Sequence, residues 1–190
     1  MGRDKAALEI GLAQAGSPAA TLAGRAARLL AAVCPAVALA DRGRGLVPGF
    51  PSLPDGPGAG PAAGLLGAAR AYPGRPLLAL ACDLPDVPTA LLADLARSAG
   101  VEDWAVPRWP GRVEPLCALY GPAALAALER RVAAGRLALK ELEEEAGLAV
   151  RHLEGEELAA YGRPEEIFRN LNTPEDLESW LRRGRETGSI

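Results

Sequence analysis

The chain has 190 residues, a formal net charge of −3 and 49% hydrophobic residues, with aromatic residues making up only 4%. This length allows a buried core without disulfides or structural metals. The small negative charge offers no basic face for nucleic-acid phosphates, so binding of DNA or RNA is not expected. Cys34, Cys82 and Cys117 are widely spaced and show no zinc-ligand pattern. We therefore expect reduced thiols in a cytoplasmic protein.

Helix-like and strand-like segments alternate along the chain. Helices are predicted over residues 18–33, 61–72, 87–98, 123–134 and 137–146, and from Thr173 to about Arg183. Short apolar runs predict strands at residues 37–40, 76–82, 103–107, 116–120, 148–153 and 166–170. The run at residues 76–82 is the most hydrophobic and is predicted to be the central strand.

This alternation favours an α/β fold with a doubly wound, mostly parallel sheet and helices on both faces. We expect a single domain over residues 1–190, with a frayed tail at residues 184–190. No apolar stretch is long enough for a membrane-spanning helix, and no export signal is recognisable. Neither membrane insertion nor export is therefore expected.

Carboxylates follow two of the predicted strands. Asp41 comes directly after residues 37–40, and Asp83 comes directly after residues 76–82. Ligands of such sheets bind beyond the carboxyl ends of the strands, where a carboxylate oxygen can hold a hard cation such as Mg²⁺. A helix-capping or turn role explains Asp83 equally well.

Further candidates lie in loops. Residues 55–61 form a Gly- and Pro-rich loop ahead of a predicted helix, whose N-terminal N–H groups attract anions, although a surface turn has the same composition. Asn170 and Asn172 share one side of an extended segment, and their amide oxygens can complete a metal site or only shape the turn. Lys5 is a solvated charge unless a phosphate site surrounds it.

Five motifs occur in one order along the chain: MGRDKA at residues 1–6, GPAAG at residues 60–64, ACDLP at residues 81–85, EPLCALY at residues 114–120 and NLNTPEDL at residues 170–177. Together they closely resemble the molybdenum cofactor guanylyltransferase family, over nearly the whole chain. The resemblance implies a Rossmann-like nucleotidyltransferase fold. It also implies transfer of GMP from GTP to the phosphate of molybdopterin-bound molybdenum, with release of pyrophosphate.

The resemblance also implies roles for individual residues. Lys5 matches the phosphate-binding lysine of the family, and Asp55 matches its guanine-side aspartate. Asp83 matches the aspartate that binds Mg²⁺, and Asn170 or Asn172 would stand near the same ion. Asp41 occupies a position where the family often has an asparagine that contacts the nucleotide. The expected partners are GTP, the molybdenum cofactor and maturation proteins of molybdoenzymes.

The resemblance is incomplete at its beginning. In the family, a strand and a glycine-rich loop of the type Leu-Ala-Gly-Gly-x-Ser-x-Arg precede the Met-Gly-x-Asp-Lys segment, and these 190 residues do not contain them. That loop gives backbone N–H groups to the triphosphate, and the strand lies centrally in the sheet. Two interpretations are open: the true start lies upstream, or the chain is a degraded relative that keeps only a binding surface.

Related activities within the same fold are also open. A molybdopterin cytidylyltransferase or a sugar-phosphate nucleotidyltransferase would keep both Lys5 and Asp83. The segment formed by Glu114, Pro115 and Leu116 favours the guanylyl branch.

Overall fold

The computed structural model describes residues 21–187, along which helices and strands alternate. The helices are α1 (Leu22–Ala31), α2 (Gly60–Ala71), α3 (Thr89–Arg97), α4 (Pro122–Ala133), α5 (Gly155–Ala159), α6 (Pro164–Ile167) and α7 (Pro174–Thr187). The strands are β1 (Leu39–Ala40), β2 (Ser52–Leu53), β3 (Leu77–Leu80), β4 (Trp104–Trp109), β5 (Arg112–Val113), β6 (Cys117–Tyr120) and β7 (Val150–Leu153). A 3₁₀ helix covers Leu139–Glu144. None of these helices combines the length and the apolar character needed to cross a bilayer.

Five of the strands form the main sheet. β6 lies between β3 and β4 and runs antiparallel to both, so that β3 and β4 point in the same direction. β7 pairs with β4 in parallel, and β5 forms a hairpin with β4. β1 and β2 form a separate parallel pair. The predicted α/β architecture is confirmed.

Alternate residues of the strands face two different cores. Trp104 and Val106 pack with side chains of α2 and α4 in one core. Ala105 packs in the other core with α3, and α1 contributes Leu29 and Leu30 there. This alternation is the period of two that a strand imposes on its side chains. Helices therefore cover both faces of the sheet, as predicted.

Two predicted elements are wrong. Residues 166–170 do not form a strand, because Pro164 at the first helical position and two glutamates in the first turn begin the short helix α6. Residues 137–146 do not form an α-helix. The 3₁₀ helix there buries Leu139 and Leu142, which its three-residue period places on one side.

The position of one strand and the end of one helix also differ from expectation. Residues 76–82 were expected to form the central strand, but β3 lies at the edge of the main sheet within residues 21–187. The reason is that no strand of this part of the chain pairs with its second edge. At the other end, α7 continues past Arg183 to Thr187, so residues 184–187 of the expected tail are helical.

Candidate functional site

A cleft of about 1310 Å³ separates β1 from β3. Residues 33–42 form one wall, residues 75–83 form the other, and α1 and α2 cover the cleft from the two faces of the sheet. Asp41, Asp55 and Asp83 all line this cleft. The structure thus brings together three carboxylates that the sequence analysis singled out.

The open edge of β3 faces the cleft. The backbone N–H of Ala81 donates to the carbonyl oxygen of Leu116 at 2.7 Å, on the β6 side. Because backbone groups alternate in direction along a strand, the N–H groups of Leu78 and Leu80 point to the opposite edge. Within residues 21–187 no strand pairs with that edge, and β1 likewise has β2 as its one neighbour. The edges of β1 and β3 therefore form the two walls of the cleft, and α1 and α2 cover it.

Asp83 follows β3 and is tied to the segment that carries the two asparagines. The backbone N–H of Leu171 donates to the carbonyl oxygen of Asp83 at 3.0 Å. Leu171 itself is buried beside α1 and α7. Asn170 and Asn172, which flank it, are therefore held next to the end of β3, although neither lines the cleft.

A reciprocal pair of hydrogen bonds fixes the same segment at the start of α7. Thr173 Oγ1 accepts the backbone N–H of Asp176 at 3.0 Å. In return, Asp176 Oδ2 accepts the N–H groups of Thr173, at 2.8 Å, and Asn172, at 3.0 Å. This is a capping box, so the predicted helix start is confirmed.

The loop that follows Asp83 is anchored to α1 and α7. Arg25 Nε donates to the carbonyl oxygen of Pro85 at 2.8 Å, and its guanidinium lies 5.5 Å from the ring centre of Trp180. Trp180 Nε1 donates to Asp86 Oδ1 at 2.6 Å. These contacts join α1 and α7 to Pro85 and Asp86, which follow Asp83 in the chain.

The carboxylate of Asp41 accepts hydrogen bonds from the loop that follows β1. Oδ2 accepts the backbone N–H of Leu46 at 2.9 Å, and Oδ1 accepts the hydroxyl of Ser52. Burial acts to raise the pKa of Asp41, but hydrogen bonds from Leu46, Ser52 and Arg44 outweigh it and hold the pKa below its usual value. Asp41 therefore lines the cleft as a charged residue whose two oxygens already have partners.

Asp55 stands at the cleft on a tightly packed loop. A Cβ at Gly67 of α2 would lie 2.2 Å from the carbonyl oxygen of Pro54, and a Cβ at Gly56 would lie 2.6 Å from Gly67 N. Only glycine permits this approach, which fixes the loop against α2. The carboxylate of Asp55 is partly exposed and pairs with Arg42 Nε at 3.3 Å, an arrangement that a ligand can exchange at little cost.

Glu114 is a site residue that the sequence did not single out by itself. Its carboxylate is buried and accepts the indole N–H of Trp109 at 3.0 Å. Burial raises the pKa of Glu114, and the nearby charge of Asp83 raises it further, against the opposing effects of Trp109 and Arg112. The bond from Ala81 N to Leu116 O sets the turn at residues 81–84 beside the turn at residues 114–117, and no pattern in the sequence reveals this contact.

Two site predictions need a further remark. Lys5 lies outside the described residues. Within residues 21–187, no group of three or more His, Cys, Asp or Glu side chains forms a potential metal cage. The cation site at Asp83, with Asn170 or Asn172 near the same ion, stays a prediction.

Comparison with known proteins gives a consistent result. Residues 1–149 match the family described as the MobA-like NTP transferase domain. A probable molybdenum cofactor guanylyltransferase of Chloroflexus aggregans is 35% identical over 143 residues, which cover 68% of this chain and 65% of the relative. One of Pelotomaculum thermopropionicum, with the same description, is 31% identical over 184 residues, which cover 93% of this chain and 83% of the relative.

A solved structure shows the same similarity. The crystal structure of molybdopterin-guanine dinucleotide biosynthesis protein A from Archaeoglobus fulgidus matches with a TM-score of 0.57 and 27% identity. The match covers 68% of this chain and 65% of that protein. The chain thus spans about 65% of the length of the Chloroflexus aggregans relative and of this structural neighbour.

Proposed function

Because the chain belongs to the MobA-like NTP transferase domain family, we propose that it is a molybdenum cofactor guanylyltransferase. The reaction would transfer GMP from GTP to the phosphate group of the molybdopterin that binds molybdenum, and it would release pyrophosphate. The observation that carries this proposal is the cleft at the carboxyl end of β3, which is lined by Asp55 and Asp83 and bordered by the start of α2. A nucleotide binds at this edge in open α/β sheets.

The base would lie on the Asp55 side of the cleft. A carboxylate can accept the two adjacent N–H groups on the Watson–Crick edge of guanine, whereas cytosine offers one amino group beside ring acceptors. Asp55 is held there by its glycine-packed loop, and only the exposed pair with Arg42 has to be exchanged. We therefore propose that Asp55 favours GTP over CTP.

The triphosphate would lie between the start of α2 and Asp83. Ala59, which precedes α2, makes no side-chain capping bond, so the first-turn N–H groups have no side-chain partner there. Lys5 would add a positive charge, as the family resemblance implies. These groups would orient the α-phosphorus toward the incoming phosphate, and no protein nucleophile is required.

Mg²⁺ is the proposed cofactor, and the residues present fit it. Asp83 offers carboxylate oxygens, and Asn170 or Asn172 offers an amide oxygen on the segment bound to Asp83 through Leu171. When bound, Mg²⁺ would neutralise charge on the phosphate oxygens. We further propose that the enzyme is cytoplasmic, with maturation proteins of molybdoenzymes as partners.

One observation favours a second candidate, a non-catalytic binding module. In residues 21–187, the edges of β1 and β3 that face the cleft have no partner strand. A chain that cannot supply that strand would lack a rigid floor for the triphosphate, while the surface around Glu114 and α4 would persist.

The two candidates are separated by calorimetric titration of GTP and CTP, with and without Mg²⁺. The titrations use the 190-residue chain and a chain extended at its N-terminus by the strand and glycine-rich loop of the family. Mg²⁺-dependent binding that prefers GTP, in either chain, supports the guanylyltransferase. Absence of nucleotide binding by both chains contradicts it and leaves the binding module.

A further inference from the structure

Arg42 has an unfavourable backbone conformation at the edge of the cleft. Its φ is 62°, and among residues 21–187 it is the one non-glycine residue with a positive φ. The other left-handed positions of the same loop are Gly43, Gly45 and Gly49. A side chain is disfavoured in this conformation because its Cβ comes too close to the following carbonyl oxygen. The loop therefore keeps an arginine where glycine would be less strained.

Hydrogen bonds hold this conformation from both sides. After Arg42, the N–H of Gly43 donates to the carbonyl oxygen of Leu53 in β2 at 3.0 Å. Before Arg42, the carboxylate of Asp41 accepts the N–H of Leu46 at 2.9 Å. The backbone of Arg42 is thus fixed between two anchored residues, and the direction in which its side chain leaves the loop is fixed with it.

The side chain of Arg42 reaches the carboxylate of Asp55, and both residues line the cleft. Arg42 Nε lies 3.3 Å from Asp55 Oδ2, with the side chain of Arg42 72% exposed and that of Asp55 32% exposed. An ion pair this exposed contributes little to stability, so it does not explain why the loop accepts a strained arginine. Most of the guanidinium is open to solvent beside the cleft, where a ligand can reach its N–H groups.

The two groups present complementary chemistry side by side. The carboxylate of Asp55 is an acceptor, and the guanidinium of Arg42 is a planar fork of N–H donors. The Watson–Crick edge of guanine carries its amino group and N1–H as donors, followed by O6 as an acceptor. A carboxylate beside a guanidinium therefore matches this edge in order. Arginine suits O6 in particular, since it is the side chain that most often donates to that oxygen in nucleic-acid complexes.

We propose that Arg42 donates to O6 of the guanine base while Asp55 accepts N1–H and the amino group, so that Arg42 is a second residue that selects the base. This inference rests on the proposed function, because it concerns the same nucleotide. Without a nucleotide, the two charges pair with each other. When guanine binds, each exchanges that weak contact for charge-assisted hydrogen bonds to the base, so neither charge is left without a partner.

The test compares the binding of three nucleotides to the full 190-residue chain, by calorimetry in the presence of Mg²⁺. GTP carries every group of the guanine edge. In 6-thioguanosine triphosphate, sulfur replaces O6 and is a weaker acceptor, and in inosine triphosphate the amino group is missing. The affinity ratio of GTP to 6-thioguanosine triphosphate therefore reports on O6, and the affinity ratio of GTP to inosine triphosphate reports on the amino group.

Arg42→Ala should change the O6 ratio alone. We expect the wild type to bind GTP about fivefold more tightly than 6-thioguanosine triphosphate, because a charged donor makes a weaker hydrogen bond to sulfur. Arg42→Ala should bind GTP about fivefold less tightly, while its affinity for the sulfur analogue stays within about twofold of the wild type. The ratio of GTP to inosine triphosphate should not change, because both nucleotides carry O6. A gain in affinity for the sulfur analogue, with that for GTP unchanged, would show a steric role and overturn the inference.

Arg42→Gly and Arg70→Ala are the control variants. Arg42→Gly removes the backbone strain together with the side chain, so an equal loss of the O6 ratio in Arg42→Gly and Arg42→Ala assigns the effect to the guanidinium. An O6 ratio that is kept in Arg42→Gly would overturn the inference. Arg70 also forms an exposed ion pair, with Glu129 at 3.6 Å, but does not line the cleft. Arg70→Ala makes the same change of charge and should leave both ratios as in the wild type.

The outcomes separate this inference from the proposed function. If Arg42→Ala weakens all three nucleotides by one factor and keeps the O6 ratio, Arg42 has only a structural role and the inference is overturned, while the proposed function stands. If the O6 ratio is lost but the wild type transfers no GMP to molybdopterin, the role of Arg42 stands and the proposed function fails. If the 190-residue chain binds none of the three nucleotides, the role of Arg42 is overturned, and the chain extended at its N-terminus decides the proposed function.

Discussion

The backbone N–H of Leu171 donates to the carbonyl oxygen of Asp83 at 3.0 Å. Through this bond the segment before α7 is attached to the end of β3, which is distant in the sequence. A hydrogen bond of this kind contributes about 1 kcal/mol, and the burial of Leu171 beside α1 and α7 adds to it. The geometry around Asp83 therefore depends on the C-terminal helix.

Removing the cap of α7 should loosen this attachment. In Asp176→Ala, the N–H groups of Asn172 and Thr173 lose their acceptor, and we expect a loss of about 1 kcal/mol in the free energy of unfolding. The amide of Leu171 should exchange with solvent faster, which hydrogen exchange measures. Glu175→Ala is the control, since Glu175 lies in the same first turn without a role in the cap. Equal effects of the two changes would contradict this prediction.

Asp83→Ala should abolish nucleotidyl transfer with little loss of stability. The change removes the proposed cation ligand, so we expect activity to fall by about a hundredfold or more, while the free energy of unfolding changes by about 1 kcal/mol at most. Product formation from GTP and urea denaturation measure the two effects.

Asp86→Ala is the matched control because Asp86 accepts the hydrogen bond of the Trp180 indole N–H. It should cost about 1–3 kcal/mol and spare the chemistry. Retained activity in Asp83→Ala would disprove the cation assignment.

Removal of the carboxylate should mainly lower stability at Asp41 and mainly change nucleotide preference at Asp55. Asp41→Ala leaves Leu46 N–H and the Ser52 hydroxyl without their acceptor, so we expect a loss of about 2 kcal/mol in the free energy of unfolding. Asp55→Ala breaks only a surface ion pair and should cost less than about 1 kcal/mol, but it should reduce the preference for GTP over CTP. Denaturation and competitive nucleotide binding distinguish the two. A loss of selectivity in a fully stable Asp41→Ala would contradict this assignment.

Stability should fall in acid through Asp94. Burial acts to raise the pKa of Asp94, but hydrogen bonds from Tyr161, Arg151 and Arg97 outweigh it, so the folded-state pKa lies below the ordinary value of 3.8. A carboxyl group with a lowered pKa stabilises the fold at pH above its unfolded value, and this contribution disappears as the pH falls through the folded-state pKa. The wild type should therefore exceed Asp94→Asn in stability at pH 6, and the gap should close as the pH falls below 3.8. Chemical denaturation at a series of pH values measures the gap. A constant gap would contradict the prediction.

Local signals in the sequence predicted the parts of the fold that depend on near neighbours. The apolar runs that become β3 and β4 and the cap formed by Thr173 and Asp176 follow from residues a few positions apart. The 3₁₀ helix was not predictable in this way. Arg131 is almost fully buried and pairs with Glu141 and Glu145, so a contact with α4 decides the conformation of that segment.

The residues of the candidate site also differ in whether near neighbours or distant contacts determine their positions. Asp83 could be predicted because a polar residue that ends an apolar strand marks the edge of a sheet. The burial of Glu114 could not, because its carboxylate is held inside by a contact with Trp109. The hydrogen bonding of Asp41 within its own loop could not be predicted either, because its partner Ser52 lies eleven residues away.

The cleft between β1 and β3 also bears on how the molecule opens. Among the strands of residues 21–187, the β1–β2 pair shares no ladder of hydrogen bonds with the main sheet, and α2 packs against both sheets. We therefore expect the two sheets to open as separate cooperative units. Amides of β2 should exchange at lower opening free energy than those of β6, which has a neighbour on each side. A ligand that bridges both walls would merge the two units, so slower exchange in β2 would report its binding.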